Sequence, residues 1–146
     1  MTLTLAQADT MIDSALAAGR SHGFAPLTVA VLDSGGHLVA FKRQDGSGIL
    51  RFDIAFGKAW GAVGLGIGSR GLAERAAIAP SFIDAAATAS QGRLVPVPGG
   101  VLVRDASGVL IGAVGISGDT SDNDETCALA GIEAAGLKGQ PGAAKP

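Results

Sequence analysis

Residues 27–43, LTVAVLDSGGHLVAFKR, decide the fold. Leu27–Asp33 is a run of aliphatic and β-branched residues, Ser34-Gly35-Gly36 is a turn, and His37–Arg43 is a second extended run. Two such runs joined by a short glycine-bearing turn predict a β-hairpin. A second hairpin is predicted from Val101–Arg104 and Val109–Ile116 across Asp105-Ala106-Ser107-Gly108. Hairpins imply an antiparallel sheet, and the segments around these two carry helical spacing, so the class is α+β, a sheet packed with helices.

Outward from the first hairpin, residues 5–18 place Leu5, Ala8, Met11, Ile12, Ala15 and Leu16 on one helical face. Thr4 is the expected cap, and Gly19 or Gly23 the stop. From Leu50 to Leu65 a second helix is predicted, with Phe52, Ala55, Phe56, Ala59, Trp60 and Val63 on one side. Gly57, Gly61 and Gly64 each weaken it by about 1 kcal/mol relative to alanine. A helix that carries them is expected to press closely against something. Short helices are expected near 72–77 and 81–89, an extended piece at 94–97, and a last helix over 122–135 that stops at Gly136. Residues 1–136 read as one domain and 137–146 as a disordered tail, with no internal repeat and no linker.

The 146 residues suffice for one core, and 47% hydrophobic against 16% charged residues exclude a disordered chain. The 23 glycines and only six aromatics, five Phe and one Trp, mean that backbones approach closely or that burial is shared with a second subunit. The latter points to a homo-oligomer. A net charge of −2 gives no electrostatic footprint for nucleic acid or an anionic membrane. The apolar stretch Ala59–Gly68 is too short to span a bilayer. Residues 1–20 lack a basic start and an apolar core, and Cys127 is the single cysteine, so a cytoplasmic location is expected.

Several motifs have plain structural readings. Gly66-Ile67-Gly68-Ser69-Arg70-Gly71 fits G-x-G-x-x-G but follows a helix rather than a strand, so it reads as a helix exit. Gly115-Ile116-Ser117-Gly118 falls one residue short of a hydrolase elbow. The acidic run Asp119–Glu125 is either a proton-transfer or divalent-metal site, or a helix start with Ser121 as cap. No cluster has the spacing of a dedicated zinc site. His22 and His37 are the only histidines, and either suits a haem iron, for which one imidazole suffices. Lys58 interrupts an apolar helix: it is a surface lysine, or a cation aimed at a carboxylate, with Arg51 on a similar face. Arg43 and Asp45 close the first hairpin and are expected to face the same place. Gly99-Gly100, after Pro96 and Pro98, allows close approach of a backbone or a ligand.

Taken in order, VAVLDSGGHLVAFKRQDG (29–46), DIAFGKAW (53–60), GGVLVRD (99–105), VLIGAVGISG (109–118) and DNDETCALAGIEAA (122–135) resemble the GlcG/HbpS family, the haem-degrading or PduO C-terminal-like domain. The similarity spans nearly the whole chain apart from the tail. It implies a profilin-like (GlcG-like) five-stranded antiparallel sheet with helices on its faces, and a homo-oligomer between dimer and octamer. It also implies a link to haem binding, haem degradation and redox sensing. Asp33, Gly35 and Gly36 fall on the family's D-x-G-G block, Arg43, Asp45 and Gly46 on R-x-D-G, and Lys58 on K-A. Gly99 and Gly100 match its G-G block, Ser117 and Gly118 its S-G block, and Asp124 and Glu125 the D-E pair that opens the last helix. The chain departs at Gln44, where relatives often have Met, in the glycine-rich 61–71 segment and in the acidic 119–125 stretch.

Three functions are compatible with these residues. One is a haem-binding protein with haem degradation as a further activity, in which His22 or His37 ligates iron. Arg43, Asp45, Arg51, Gly99, Gly100 and Ser117 would then line the cofactor site. The second is a cofactor-independent lyase or isomerase on a hydroxy or keto acid, with Lys58, Asp124 and Glu125 as the catalytic set. The third is a non-catalytic oligomeric sensor or accessory module. One pocket is expected between the 43–48 loop, the Lys58 helix, the Gly99-Gly100 turn and the 117–125 turn.

Overall fold

The structure is a computed structural model and describes residues 2–144. In chain order it contains α1 (Leu5–His22), β1 (Thr28–Asp33), β2 (Leu38–Arg43), α2 (Arg51–Leu65), α3 (Ser69–Ile78) and α4 (Pro80–Ala89). There follow β3 (Gly100–Arg104), β4 (Leu110–Ser117), α5 (Ser121–Ala134) and β5 (Lys138–Gln140). The sheet is five-stranded and antiparallel in the order β2-β1-β4-β3-β5. Both expected hairpins are present, and the two meet through β1 and β4 at the centre of the sheet.

The expected cap of α1 is a full capping box: the Thr4 side chain accepts from the Gln7 amide, and the Gln7 side chain from the Thr4 amide. Gly23, in the left-handed region at φ 71°, ends the helix. One face of the sheet, with Val29, Val31, Val101, Val103, Val114 and Ile116, packs on Met11, Ile12 and Ala15 of α1 and on Cys127, Ala128 and Ile132 of α5. The other face packs Leu32, Leu102 and Ala113 on Ala59 and Ala62 of α2. Helices on both faces explain why β1 and β4 read as continuous apolar runs rather than as alternating ones. Leu72, Ile83 and Leu94 form a smaller cluster between α3, α4 and the segment that follows them.

The small residues serve close contact, as their number predicts. A Cβ at Gly115 would run into the Ala55 carbonyl of α2, and one at Gly57 would run into the Arg93 carbonyl. So α2 lies with its backbone against β4 on one side and against residues 93–95 on the other.

Two expectations are corrected. Residues 94–97 join no strand, since Pro96 and Pro98 lack the amide hydrogens a ladder needs and Val97 bonds back to Val95. The missing strand is β5, in the stretch read as a disordered tail. It pairs with Leu102–Arg104, and Arg104 Nε donates to Gln140 Oε1 at 2.7 Å. Beyond it, the carbonyls of Pro141 and Gly142 accept from the amides of Arg70 and Gly68. Residues 145–146 of that expected tail lie outside the described residues.

Candidate functional site

Lys58 sits on the sheet-facing side of α2 and crosses to the start of α5. Its Nζ donates to the Ile116 carbonyl at 2.8 Å and to Asp124 Oδ2 at 3.1 Å. The side chains are 2% and 1% exposed. The other carboxylate oxygen of Asp124 accepts from the Asp119 amide at 2.9 Å. Burial pushes the Lys58 ammonium down and the Asp124 carboxyl up, each towards its neutral form, and their attraction opposes this. Gly99 and Gly100 run over this lysine so closely that a Cβ at Gly100 would meet the Lys58 carbonyl. The Gly100 amide donates to Ser69 Oγ at 2.7 Å. Beside the pair, Arg51 donates to Ser117 Oγ at 3.1 Å. The sequence-predicted residues Lys58, Asp124, Gly99, Gly100, Ser117 and Arg51 therefore come together, but as a packed junction of α2, β3, β4 and α5.

Glu125 points elsewhere. Arg70 Nε donates to both its oxygens, at 3.1 and 2.9 Å, and Arg70 Nη2 pairs with Asp122. The acidic run is a helix start: Thr120, one residue before the expected Ser121, caps α5 by accepting from the Asn123 amide. The Asp119 carboxylate is held below its usual range, chiefly by the Ala25 amide at 2.8 Å and also by Asn123 and Thr120. No group of three metal-ligating side chains exists among the described residues. The G-x-G-x-x-G segment leaves α2 as its sequence context predicts, with Gly66 as C-cap, but it also opens a helix: Gly68 is the N-cap of α3 and Ser69-Arg70-Gly71 its first turn.

Arg43 and Asp45 lie on the outer surface. They line an open cleft of about 580 Å³ with Leu16, Arg20, Phe24, Pro26, Lys42 and Gln44. Lys58 does not reach it, so the single expected pocket is in fact two regions, one sealed and one open. Lys42 is held by Asp13 at 2.6 Å, while among the described residues no ion pair engages Arg20 or Arg43. His22 stacks on Phe24 with ring centroids 5.0 Å apart. Its Nδ1 lies 2.8 Å from the Ala18 carbonyl, which can only accept, so Nδ1 carries a hydrogen, and in the neutral ring the lone pair is on Nε2. His37, 81% exposed, instead leans on Asp33 at 3.1 Å, beside a cleft of about 300 Å³ whose one other charged lining residue is Asp33 itself.

Sequence reasoning missed Arg20, Phe24 and Arg70. Arg20 and Phe24 flank His22 across the helix stop, and the signal was the basic last turn of α1 followed by an aromatic. Arg70 lay inside a segment set aside as a helix exit.

A test for haem follows from these two regions. The sealed junction has no room for a macrocycle. The open cleft offers apolar surface from Leu16, Phe24 and Pro26 and two guanidinium groups for propionates, and the His22 imidazole stacks on its Phe24 wall. The residues present fit the group there.

A family model described as Haem degrading protein HbpS-like matches residues 3–133. The chain is 30% identical over 132 residues to an uncharacterised 15.0 kDa protein from the dhaT-dhaS intergenic region of Citrobacter freundii, covering 90% of this chain and 91% of the relative. The crystal structure of a double mutant of Streptomyces reticuli HbpS superposes with a TM-score of 0.78 at 30% identity, covering 91% of this chain and 86% of that one. A PduOC:heme complex superposes with a TM-score of 0.84 at 23% identity, covering 94% and 97%, a likeness of fold.

Proposed function

Because this chain belongs to the HbpS-like family, we propose that it is a haem-binding protein whose site is the open cleft beside His22. The observation that carries this reading is the placement of His22: its Nδ1 is tied to the Ala18 carbonyl and its ring stacks on Phe24, which lines a cleft whose two arginines no ion pair engages among the described residues. Neutral imidazole with a free nitrogen is the form that ligates iron. Arg20 and Arg43 would hold the two propionates as charge-assisted pairs, and Phe24, Leu16 and Pro26 would shed water from the ring face. Bound haem supplies redox chemistry at its iron, which the protein tunes through ligand and surroundings. Asp45, at the cleft wall, is the carboxylate placed to move a proton there. The open mouth would let small oxidants reach a haem held there, which supports haem degradation as the finer activity.

The acid–base reading of Lys58, Asp124 and Glu125 has lost its footing, since the first two are sealed and the third is engaged by Arg70. We read the chain as homo-oligomeric, supported by exposed Ile49, Leu50 and Phe41 near the β2 edge. No described helix is long and apolar enough to cross a membrane. A cytoplasmic location remains part of this proposal, on the single cysteine.

The test is a haemin titration of the wild-type chain, His22→Ala and His37→Ala, followed by absorbance. The expected result is a Soret band saturating at one haem per chain, lost in His22→Ala and kept in His37→Ala. Diffuse, unsaturable binding that neither substitution changes would sink the proposal. Loss of the band when the complex receives a reductant in air, with release of iron, separates degradation from storage.

A further inference from the structure

A further cleft, of about 310 Å³, lies between α2 and the segment after α4. Phe52, Asp53 and Phe56 of α2 form one wall, and Gln91, Gly92 and Arg93 the other. The two phenyl rings are 5.9 Å apart, and Phe41 stacks edge-on against Phe52 at 4.8 Å, so this wall is a supported aromatic surface. The opposite wall is fixed to α2 by backbone contact. The Val95 amide donates to the Gly57 carbonyl at 3.2 Å, and only glycine at 57 leaves space for the Arg93 carbonyl.

Arg93 is held in place on two sides. Its guanidinium lies 4.2 Å over the Trp60 ring, and its Nε donates to the Ser90 carbonyl at 3.2 Å. That anchoring keeps it from its neighbour across the cleft: among the described residues no ion pair joins Arg93 to Asp53, although both line the same space. A cation and a carboxylate thus face one cleft unpaired, with an aromatic surface beside them.

We propose that this cleft binds a small zwitterion with an apolar side chain, an apolar α-amino acid: its carboxylate on Arg93, its ammonium on Asp53 and its side chain on Phe52 and Phe56. The volume is at the small end of ligand sites, which suits one such molecule and excludes a macrocycle. The charges are matched in sign and number to the ligand. Gln91 lines the same cleft from a left-handed backbone at φ 58°, where glycine would be unstrained, so an amide side chain is present at the site in spite of that cost. This site is separate from the His22 cleft and stands whether or not haem binds there.

Trp60 is the one tryptophan and the chain has no tyrosine, so tryptophan emission reports on the partner of Arg93 alone. The experiment titrates haem-free protein with L-phenylalanine, with 3-phenylpropionate, which lacks the ammonium, and with phenethylamine, which lacks the carboxylate. The expected result is a saturable change in Trp60 emission with L-phenylalanine at millimolar concentrations, and binding about tenfold weaker for each truncated compound. Asp53→Asn, an exposed change in the first turn of α2, should weaken L-phenylalanine about tenfold and leave 3-phenylpropionate unchanged. Arg93→Gln, followed by calorimetry because it alters the fluorophore's surroundings, should abolish binding of both. No saturable change with L-phenylalanine overturns the proposal, as does equal affinity for 3-phenylpropionate or an Asp53→Asn protein that binds L-phenylalanine like the wild type. Emission of the ligand-free protein that shifts on dilution would assign the cleft to a second copy of the chain and overturn it equally.

Discussion

The Lys58–Asp124 junction and the cleft beside His22 contain the same kinds of residue, cations next to carboxylates, and do opposite things. In the junction every group is buried and engaged: the ammonium has a carbonyl and a carboxylate, and the carboxylate has an ammonium and an amide. In the cleft, Arg20 and Arg43 are open to solvent and, among the described residues, engaged by no ion pair, and the His22 ring beside it is held by the Ala18 carbonyl and by Phe24. The first arrangement holds four elements in register. The second has unspent binding capacity. Access and satisfaction, rather than residue type, separate a structural charge from a functional one.

The largest effect is expected where that contrast is sharpest. Asp124→Ala leaves Lys58 buried without its counter-ion, with only the Ile116 carbonyl as partner, and should cost about 3–5 kcal/mol in urea denaturation. Lys58→Met with Asp124→Leu removes both charges and should recover more than half of that loss. A single substitution that costs less than about 1 kcal/mol would show that water reaches the pair and that the junction is not sealed.

Next is Cys127, buried against the same junction. Burial, then the nearby Asp124 and Asp119 carboxylates, push its thiol up to about 11 from an ordinary 9.0. Thiolate at neutral pH is thereby reduced about a hundredfold, and a disulfide reagent should label the chain only after denaturant is added. Rapid labelling of the native chain would mean that the interior opens.

Smaller changes belong to the cleft. Arg20→Gln and Arg43→Gln should each weaken haem by about fivefold, roughly 1 kcal/mol, with less dependence on salt and no change in urea midpoint. A loss of stability instead would make these arginines structural and erase the contrast.

The smallest effect is at a surface turn. Asp33 is held below its usual 3.8, chiefly by the His37 amide, with the Gly35 amide and the His37 ring contributing. Its folded value is the lower one, so its contribution to stability is fully present above about 3.8 and lost as pH falls through the folded value. Asp33→Asn should flatten the acid limb of the stability curve by a few tenths of a kcal/mol, as expected of an exposed group. A steep acid limb that survives in Asp33→Asn points back to the buried carboxylate.

Much of the fold was legible because it is local. The 27–43 hairpin, the Thr4 box and the Asp105–Gly108 turn are written in neighbouring residues, and the glycines of α2 announced a close contact. Strand β5 was not legible, since Lys138-Gly139-Gln140 has no strand propensity. It forms because β3 offers a free edge and Gly139 fits between Leu129, Val101 and Ile132. The site was half legible. Lys58 and Asp124 were singled out, but a separation of 66 positions hides whether two side chains meet in solvent or in the core. His22 was visible, and the Ala18 carbonyl and Arg20 beside it are its neighbours on the same helix; Arg43 comes from a hairpin that meets the end of α1 only in the folded chain.

The backbone contact of Gly115 and Gly100 with α2 has a consequence for how this chain can change. At these positions the neighbouring main chain fills the space a side chain would need, whereas a Cβ at Gly48 or Gly64 meets only a single side-chain atom, 3.9 Å away. A saturation scan should therefore split these four glycines into two populations, Gly48 and Gly64 accepting almost any residue and Gly100 and Gly115 accepting none. The second population marks the seams where the layers touch. Sequence drift would be confined to the outer surface, where the His22 cleft lies, so new ligand specificities can arise there while the architecture stays fixed.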